Sequence, residues 1–329
     1  NNELKINAIN NFSTQNRAVT ADDYKNLILS KFGYIQSASV WGGEDNVPPV
    51  YGKVFIALDT YSENNVNYIE PLSALNKAEI LDYLKTKKIL ALQPEIVDAK
   101  YINLVLDILF KYDTNITSLA ANEMQKEVRD NVLTPFNNEV LNKFDTVFRH
   151  SQFVGEVDNY SRAILNTHVR VYVQQTIFIP DDASRTQFDI DFGVQLDVDD
   201  DKLLVQVDSD FAWKENEERI FIEDEANPLN NRVRDLYLYK LVGPAKQRLR
   251  QVGSANIDTG LMTLNSIFAD NPVNLRITVH PRSNDIVGKT NYLLRINESD
   301  TQITVSPDEI AKGGSSRAVE YSAFPKERY

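Results

Sequence analysis

Glu44 and Asp45 stand side by side in the run Trp41-Gly-Gly-Glu-Asp-Asn-Val-Pro-Pro-Val-Tyr-Gly-Lys53, and paired carboxylates are the groups that carry acid and base catalysis. Neighbours in sequence point their side chains apart, so this pair alone makes a poor catalytic diad. The residues around it read instead as a shaped connector. Gly42 and Gly43 permit backbone geometry that a Cβ forbids, and Pro48 and Pro49 stiffen the return. A second acidic group, Asp197, Asp199, Asp200 and Asp201, resembles the start of a calcium loop, whose alternate carboxylates converge on one ion. Lys202 occupies the place where such a loop needs glycine, and Asp208 replaces the bidentate glutamate, so the expectation is a turn with solvated acids. The three histidines, His150, His168 and His280, fall on different expected elements, and no shared metal or diad is expected of them. No nucleophile elbow, phosphate loop, dinucleotide fingerprint or H-E-x-x-H occurs. The chain therefore reads as a non-enzyme with no catalytic residue, cofactor or metal site.

Charge is more informative than chemistry. The formal net charge is -12, and residues 181–225 hold 16 acids against 4 bases, so the other residues balance at 31 of each. Directly afterwards, residues 232–250 carry Arg232, Arg234, Lys240, Lys246, Arg248 and Arg250 against one acid, Asp235, with Tyr237 and Tyr239 interleaved. Basic residues with aromatics between them are a nucleic-acid signal, but the alternation Leu-Tyr-Leu-Tyr-Lys-Leu fits a strand and a pI near 4.9 disfavours a phosphate-binding role. Two readings remain open: a solvated strand face, or a protein interface in which the acidic patch of one copy meets the basic patch of another. The candidate interface residues are Glu44, Asp45, Arg232, Arg234, Tyr237, Tyr239, Lys246, Arg248 and Arg250.

Local patterns place these residues on elements. Thr20 and Asp23 form a capping pattern for a helix from Thr20 to Phe32 that buries Tyr24, Leu27 and Ile28 and closes at Gly33. Strands are expected over Tyr34–Trp41 and Val50–Leu58. Asn76 and Glu79 suggest the cap of a second helix, and Tyr101–Tyr112 alternates with period two, placing Ile102, Leu104, Leu106, Ile108 and Phe110 on one face. The order helix, strand, strand, helix, strand predicts helices on an antiparallel sheet. An antiparallel helical pair is expected next, first through Ala121, Met124, Val128 and Val132 to Thr134-Pro135, then through Val140, Phe144, Val147 and Phe148. After Tyr160 strands dominate: His168–Val173, Val273–Val279, a hairpin turn at Asp258-Thr-Gly260 and another before Tyr292–Ile296. The expected class is α+β and multidomain: a boundary segment 1–14, an α+β domain 15–165, a mostly β domain 166–310 and a tail 311–329. The chain begins without Met or a signal peptide and reads as cut from a longer protein. It has no Cys, which fits assembly in a reducing cytosol, and no apolar run approaches the ~20 residues of a membrane helix.

The run from Arg17-Ala-Val-Thr20 through Asp22, Asp23 and Tyr24, the Trp41–Asp45 loop and the Pro49-Val-Tyr-Gly-Lys53 strand entry resemble the baseplate wedge protein of T-even-type contractile-tailed phages. This is the large wedge subunit of the baseplate J-like family, and the chain resembles its C-terminal half. Beyond about residue 115 the likeness rests on element order and on the Ile257-Asp-Thr-Gly260 turn. The resemblance implies a structural subunit of the virion tail baseplate, assembled in the host cytoplasm. It implies pairing with itself as a homodimer, a ring of dimers that links wedges around the hub, contacts with other wedge proteins, and none with nucleic acid or membrane. It further implies rigid-body rotation of subunits when the baseplate changes shape on host attachment. An alternative is a glycan-binding or glycan-degrading tail protein, suggested by Trp213 and the many tyrosines of the β-rich half.

Overall fold

The computed structural model describes residues 17–46, 48–60, 72–88, 92–180, 186–198, 202–209, 214–215, 218–267, 269–288 and 290–308. The expected boundary segment 1–14 and tail 311–329 lie outside these residues, as do Trp213 and the Asp199, Asp200 and Asp201 of the calcium-loop reading. The class is α+β and multidomain, with a helix-plus-sheet region first and a mostly β region after it. Two compact units make up the chain. Unit 1 comprises Asn1–Tyr101, Asn142–Thr146 and Gly288–Leu294, and unit 2 comprises Ile102–Leu141, Val147–Val287 and Arg295–Tyr329.

Unit 1 starts with helix α1 (Ala21–Lys31). Thr20 Oγ1 accepts from the Asp23 N–H at 3.2 Å while Asp23 Oδ2 accepts from the Thr20 N–H at 2.8 Å, so two N–H groups of the first turn are satisfied reciprocally. The helix closes on Phe32, whose N–H reaches Ile28 O at 2.9 Å. Gly33 does not take the positive φ expected of a capping glycine. Strands β1 (Ile35–Gly42) and β2 (Lys53–Thr60) pair antiparallel. Helix α2 (Ala74–Lys85) is capped by Ser73, whose Oγ accepts from the Asn76 N–H at 3.2 Å. The cap expected at Asn76 therefore lies three residues earlier. Strand β3 (Gln93–Asp98) then pairs parallel with β2. A parallel pair requires a long crossover, which the α2 segment provides. The sheet of unit 1 is thus β1-β2-β3 and mixed; the antiparallel pair was expected, whereas the third strand is 93–98 and not the Tyr101–Tyr112 strand.

Central strand β2 is buried from Val54 to Asp59, the near-continuous apolar run of a strand covered on both faces. On one face Val54, Ile56 and Leu58 pack with Tyr24, Ile28, Ile80 and Leu84 of the two helices. On the other, Phe55 and Ala57 pack with Trp41, Phe144 and Leu293. Phe144 was expected on a helix through Val140–Phe148, and that helix does not form. Asn142 and Asp145 take positive φ values of 52° and 62°, and the Phe144 N–H donates to Ser37 Oγ at 3.0 Å, so the backbone is committed to β1 instead of to helical neighbours. The Gly and Pro loop is held at both ends. Trp41 Nε1 donates to Asn46 Oδ1 at 2.9 Å, the Trp41 ring stacks on Phe55 with centroids 5.9 Å apart, and Val50 N–H donates to Gly43 O at 2.7 Å.

Unit 2 is mostly strand. Strand β4 (Lys100–Tyr112) continues into it, and Ile102, Leu104, Leu106, Ile108 and Phe110 are all fully buried, as the alternation predicts. Helix α3 (Ala121–Val128) runs into two π-helical turns, Arg129–Leu133 and Phe136–Val140. A short strand β5 (Val147–Phe148) precedes helix α4 (His150–Tyr160), which was not expected, and β6 (Ile164–Ile179) follows. The remaining strands are β7 (Thr186–Asp191), β8 (Leu204–Ser209), β9 (Lys214–Glu215), β10 (Glu218–Ala226), β11 (Val233–Val242), β12 (Ala245–Asn256), β13 (Leu261–Ile267), β14 (Val273–Val279), β15 (Ile286–Val287), β16 (Tyr292–Ile296) and β17 (Gln302–Pro307). One sheet runs β16-β4-β6-β14-β8 with β17 also beside β4, another runs β7-β13-β12-β11-β10-β9, and β15 pairs with β5. The turn at 257–260 joins β12 to β13 as expected, with Gly260 at φ 73°. The break before Tyr292 does not make a hairpin, because the preceding strand β15 pairs with β5 and not with β16.

A Cβ at residue 43 would sit 1.8 Å from Val50 O. Gly43→Ala is therefore expected to cost roughly 1–3 kcal/mol through forced backbone movement. Replacing the exposed Glu44 and Asp45 with Ala is expected to change stability by no more than about 0.5 kcal/mol. Urea unfolding of the three proteins compares them; equal midpoints for Gly43→Ala and the parent chain would show that the loop is not held as described.

Candidate functional site

The charged stretches converge on the sheet built by β9 to β12. The turn between β10 and β11 is set by Asn227, whose Oδ1 accepts from the N–H groups of Leu229 and Asn230 at 2.9 and 3.0 Å, an Asx turn. Gly243, at φ 62°, lies in the turn between β11 and β12. These short connections make an antiparallel meander in which acidic β10, mixed β11 and basic β12 are neighbours. Alternation then sorts the side chains. Ile220, Ile222, Asp224, Arg234, Leu236 and Leu238 are buried, while Phe221, Glu223, Glu225, Tyr237 and Tyr239 lie half-buried on the opposite face.

Every base of the 232–250 run finds an acid in the same chain. Arg232 Nε is 3.4 Å from Asp258 Oδ2, Lys240 Nζ is 2.8 Å from Glu218 Oε1, and Arg250 Nη2 is 2.7 Å from Glu215 Oε1. Lys246 pairs with Glu223. Arg248 Nη1 is 3.2 Å from Glu225 Oε2, and its guanidinium stacks 3.4 Å over the Tyr237 ring. Tyr239 Oη donates to the same Glu225 carboxylate. Burial, followed by that hydrogen bond and the charge of Glu225, pushes the Tyr239 hydroxyl up to about 12. Exposed pairs such as these contribute about 0–1 kcal/mol each, so their main effect is to match the strands to one another.

Arg234 and Asp224 differ in kind. Their side chains are 6% and 2% exposed, with Nε and Oδ2 2.7 Å apart. Asp224 also accepts from the Leu203 N–H at 3.0 Å and the Leu204 N–H at 3.2 Å. This carboxylate therefore joins the β10–β11 pair to the start of β8, which belongs to the other large sheet of unit 2. Buried in this way, Arg234 cannot serve as the surface contact expected of it.

The other sequence-predicted residues lie apart from this cluster. Glu44 and Asp45 occupy a single 3₁₀ turn of unit 1 and are exposed. His150 Nε2 lies 2.9 Å from Val169 O, and the His280 ring lies against Tyr172 with centroids 4.7 Å apart. Burial, with help from the charge of Arg170, lowers the pKa of His168. No group of three metal-ligating side chains occurs among the described residues, and no helix among them is long and apolar enough to cross a membrane. The acids that complete the cluster, Glu215, Glu218, Glu223, Asp224 and Glu225, were visible in the sequence only as part of an acidic stretch.

Residues 20–97 match the family model described as baseplate structural protein gp6, C-terminal domain I. Residues 100–175 match baseplate structural protein gp6, C-terminal domain III. The break between the two matches falls beside residues 101 and 102, where the chain passes from unit 1 to unit 2. The charged sheet of β9 to β12 lies outside both matches. No curated protein matches the chain. Among solved structures, a chain of the anti-feeding prophage baseplate, determined by cryo-electron microscopy with six-fold symmetrisation, is similar at 12% identity with a TM-score of 0.35. The similarity covers 49% of this chain and 34% of that one, and at that score it carries no argument.

Removing Arg234 leaves the Asp224 carboxylate buried without its counter-charge. Arg234→Leu is expected to lose about 3–5 kcal/mol in urea unfolding. Adding Asp224→Asn should recover part of it, because an amide oxygen still accepts from the Leu203 N–H without burying a charge; no recovery would mean that packing, not charge, sets the cost. A hydroxyl whose pKa is raised on folding stabilises the fold below its ordinary pKa near 10, and that contribution is lost as pH rises from there to about 12. Tyrosinate absorbance should show late-titrating tyrosines, one of which moves earlier in Glu225→Gln. An unchanged titration curve would remove Glu225 as a cause.

Proposed function

We propose that this chain is a non-enzymatic structural subunit of a phage tail baseplate wedge. Two matches to baseplate structural protein domains, in consecutive segments of one chain, carry the reading. The motif resemblance around Thr20, Trp41–Asp45 and Pro49–Lys53 supports it independently of element order. In this role the chain associates with itself, links wedges into a ring around the hub and moves by rigid-body rotation when the baseplate changes shape. Other wedge proteins are its further partners.

The surfaces offered for these contacts differ in chemistry. In unit 1 the stiffened loop presents Glu44, Asp45 and Tyr51, the last 80% exposed. In unit 2 the end of the β11–β12 hairpin presents Leu241 and Val242, 54% and 55% exposed, beside the outer-face residues Tyr237, Tyr239, Lys246 and Arg248. Because the charges of this run already pair within the chain, the apolar hairpin end contributes more to association than the basic residues do.

Light scattering of the chain at increasing concentration is expected to show at least a dimer, and Leu241→Asp with Val242→Asp to weaken it. Antibody raised against the chain is expected to label the baseplate end of tail particles. A strict monomer at high concentration would count against self-association alone; labelling elsewhere on the particle would sink the baseplate reading itself.

A further inference from the structure

We propose that a cleft on unit 2, between the π-helical segment and α4, receives a single lysine or arginine side chain from another protein. The inference stands apart from the baseplate reading, because it rests on the chemistry of the cleft alone. The cleft encloses about 240 Å³, below the ~300–1,000 Å³ of pockets that hold small organic ligands and suited to one long side chain. Val132 and Phe136 form a buried apolar floor for a methylene stem.

The walls favour a cation at the tip of that stem. Tyr160 Oη donates to Glu127 Oε2 at 2.5 Å and accepts from Asn131 Nδ2 at 3.2 Å, so its hydroxyl is already engaged and its ring offers a surface on which ammonium and guanidinium groups stack. Asn131 Nδ2 also donates to the Glu127 carboxylate at 2.9 Å, leaving its Oδ1 as an acceptor for an N–H donor. Glu156 is exposed at the rim, and no basic residue lines the cleft. A carboxylate, an amide oxygen and an aromatic face above an apolar floor complement a basic side chain and repel an anion.

The wall is also built before any ligand arrives. Arg129 Nη1 donates to Glu298 O at 2.6 Å, Thr134 Oγ1 to Glu298 Oε2 at 2.7 Å, and Asn137 Nδ2 to Glu298 Oε1 at 3.0 Å. Both π turns are thereby pinned from outside the helix, and a cleft that needs no ordering binds at lower entropic cost. π-Helical turns of this kind recur at functional sites.

The test is a nuclear magnetic resonance titration of the full chain with capped Gly-Lys-Gly and Gly-Arg-Gly peptides. Controls carry norleucine or acetyl-lysine at the central position. Saturable shifts are expected for backbone amides within 131–140 and 156–160, with both controls at least about tenfold weaker. Glu156→Gln should weaken the lysine peptide about tenfold and leave the unfolding midpoint unchanged. Equal binding of norleucine, shifts scattered over other acidic surfaces, or no saturation at these amides by about 20 mM would each overturn the proposal.

Discussion

Unit 2 depends on a buried carboxylate. Asp224 accepts from Arg234 and from two backbone N–H groups at the entry of β8, so one side chain fixes the register of β10 against β11 and ties their sheet to the neighbouring one. A buried ion pair adds little net stability over apolar residues of the same shape, because taking both charges out of water opposes their attraction. What it adds here is a penalty on alternatives. A one-residue slip of β10 would carry Asp224 to the outer face, bury Glu223 or Glu225 without a partner, and leave Arg234 uncompensated. The exposed pairs follow from that register: Glu218, Glu223 and Glu225 can meet Lys240, Lys246 and Arg248 only while Asp224 stays in place.

The same logic of distant polar groups shapes the helical part of unit 2. Helix α4 has no side-chain cap from its own N-terminal residue, and the half-buried Asp285, more than a hundred residues away, accepts from the His150 N–H at 2.9 Å and from Arg149 at 2.8 Å. Those bonds, that of Arg149 foremost, hold the Asp285 carboxyl below its usual pKa. The turn at 297–301 acts likewise on the π-helical segment, through Arg129, Thr134 and Asn137. The buried side chains Gln174, Asn297 and Thr278 extend this polar network across the β6 and β14 strands. In such a network each member is satisfied by another, which makes the arrangement costly to disturb in part.

These long-range bonds explain which elements could be read from sequence. Helix α1 carries its own capping box and strand β4 its own alternation, so both were legible from residues within one element. Helix α4 was not, because its cap comes from Asp285 and its sequence includes Gly155 and valines, which are poor helix formers. Residues 140–148 carry apolar spacing that fits a helix, yet Phe144 and Phe148 fall on that spacing by coincidence. They enter different cores, with Phe144 beside Trp41 and Phe148 against Phe153. Strand β3 was hidden by Pro94 and by its partial burial. The charged stretches were legible as composition, but their pairing within one chain depends on strand register, which sequence order alone does not state.

That pairing also bears on how a chain with 47 acids and 35 bases can serve as an assembly component. Charges free at the surface would steer association over a distance of about one Debye length, ~8 Å at physiological salt. In this sheet the bases are engaged by neighbouring strands, so the outer face is closer to neutral than either stretch suggests. A partner meeting it encounters aromatic rings and aliphatic stems, with Arg248 stacked on Tyr237 and Arg219 over Phe221. Any recognition there would be decided by shape and apolar area at short range. The excess negative charge lies outside this sheet, where it opposes indiscriminate clustering.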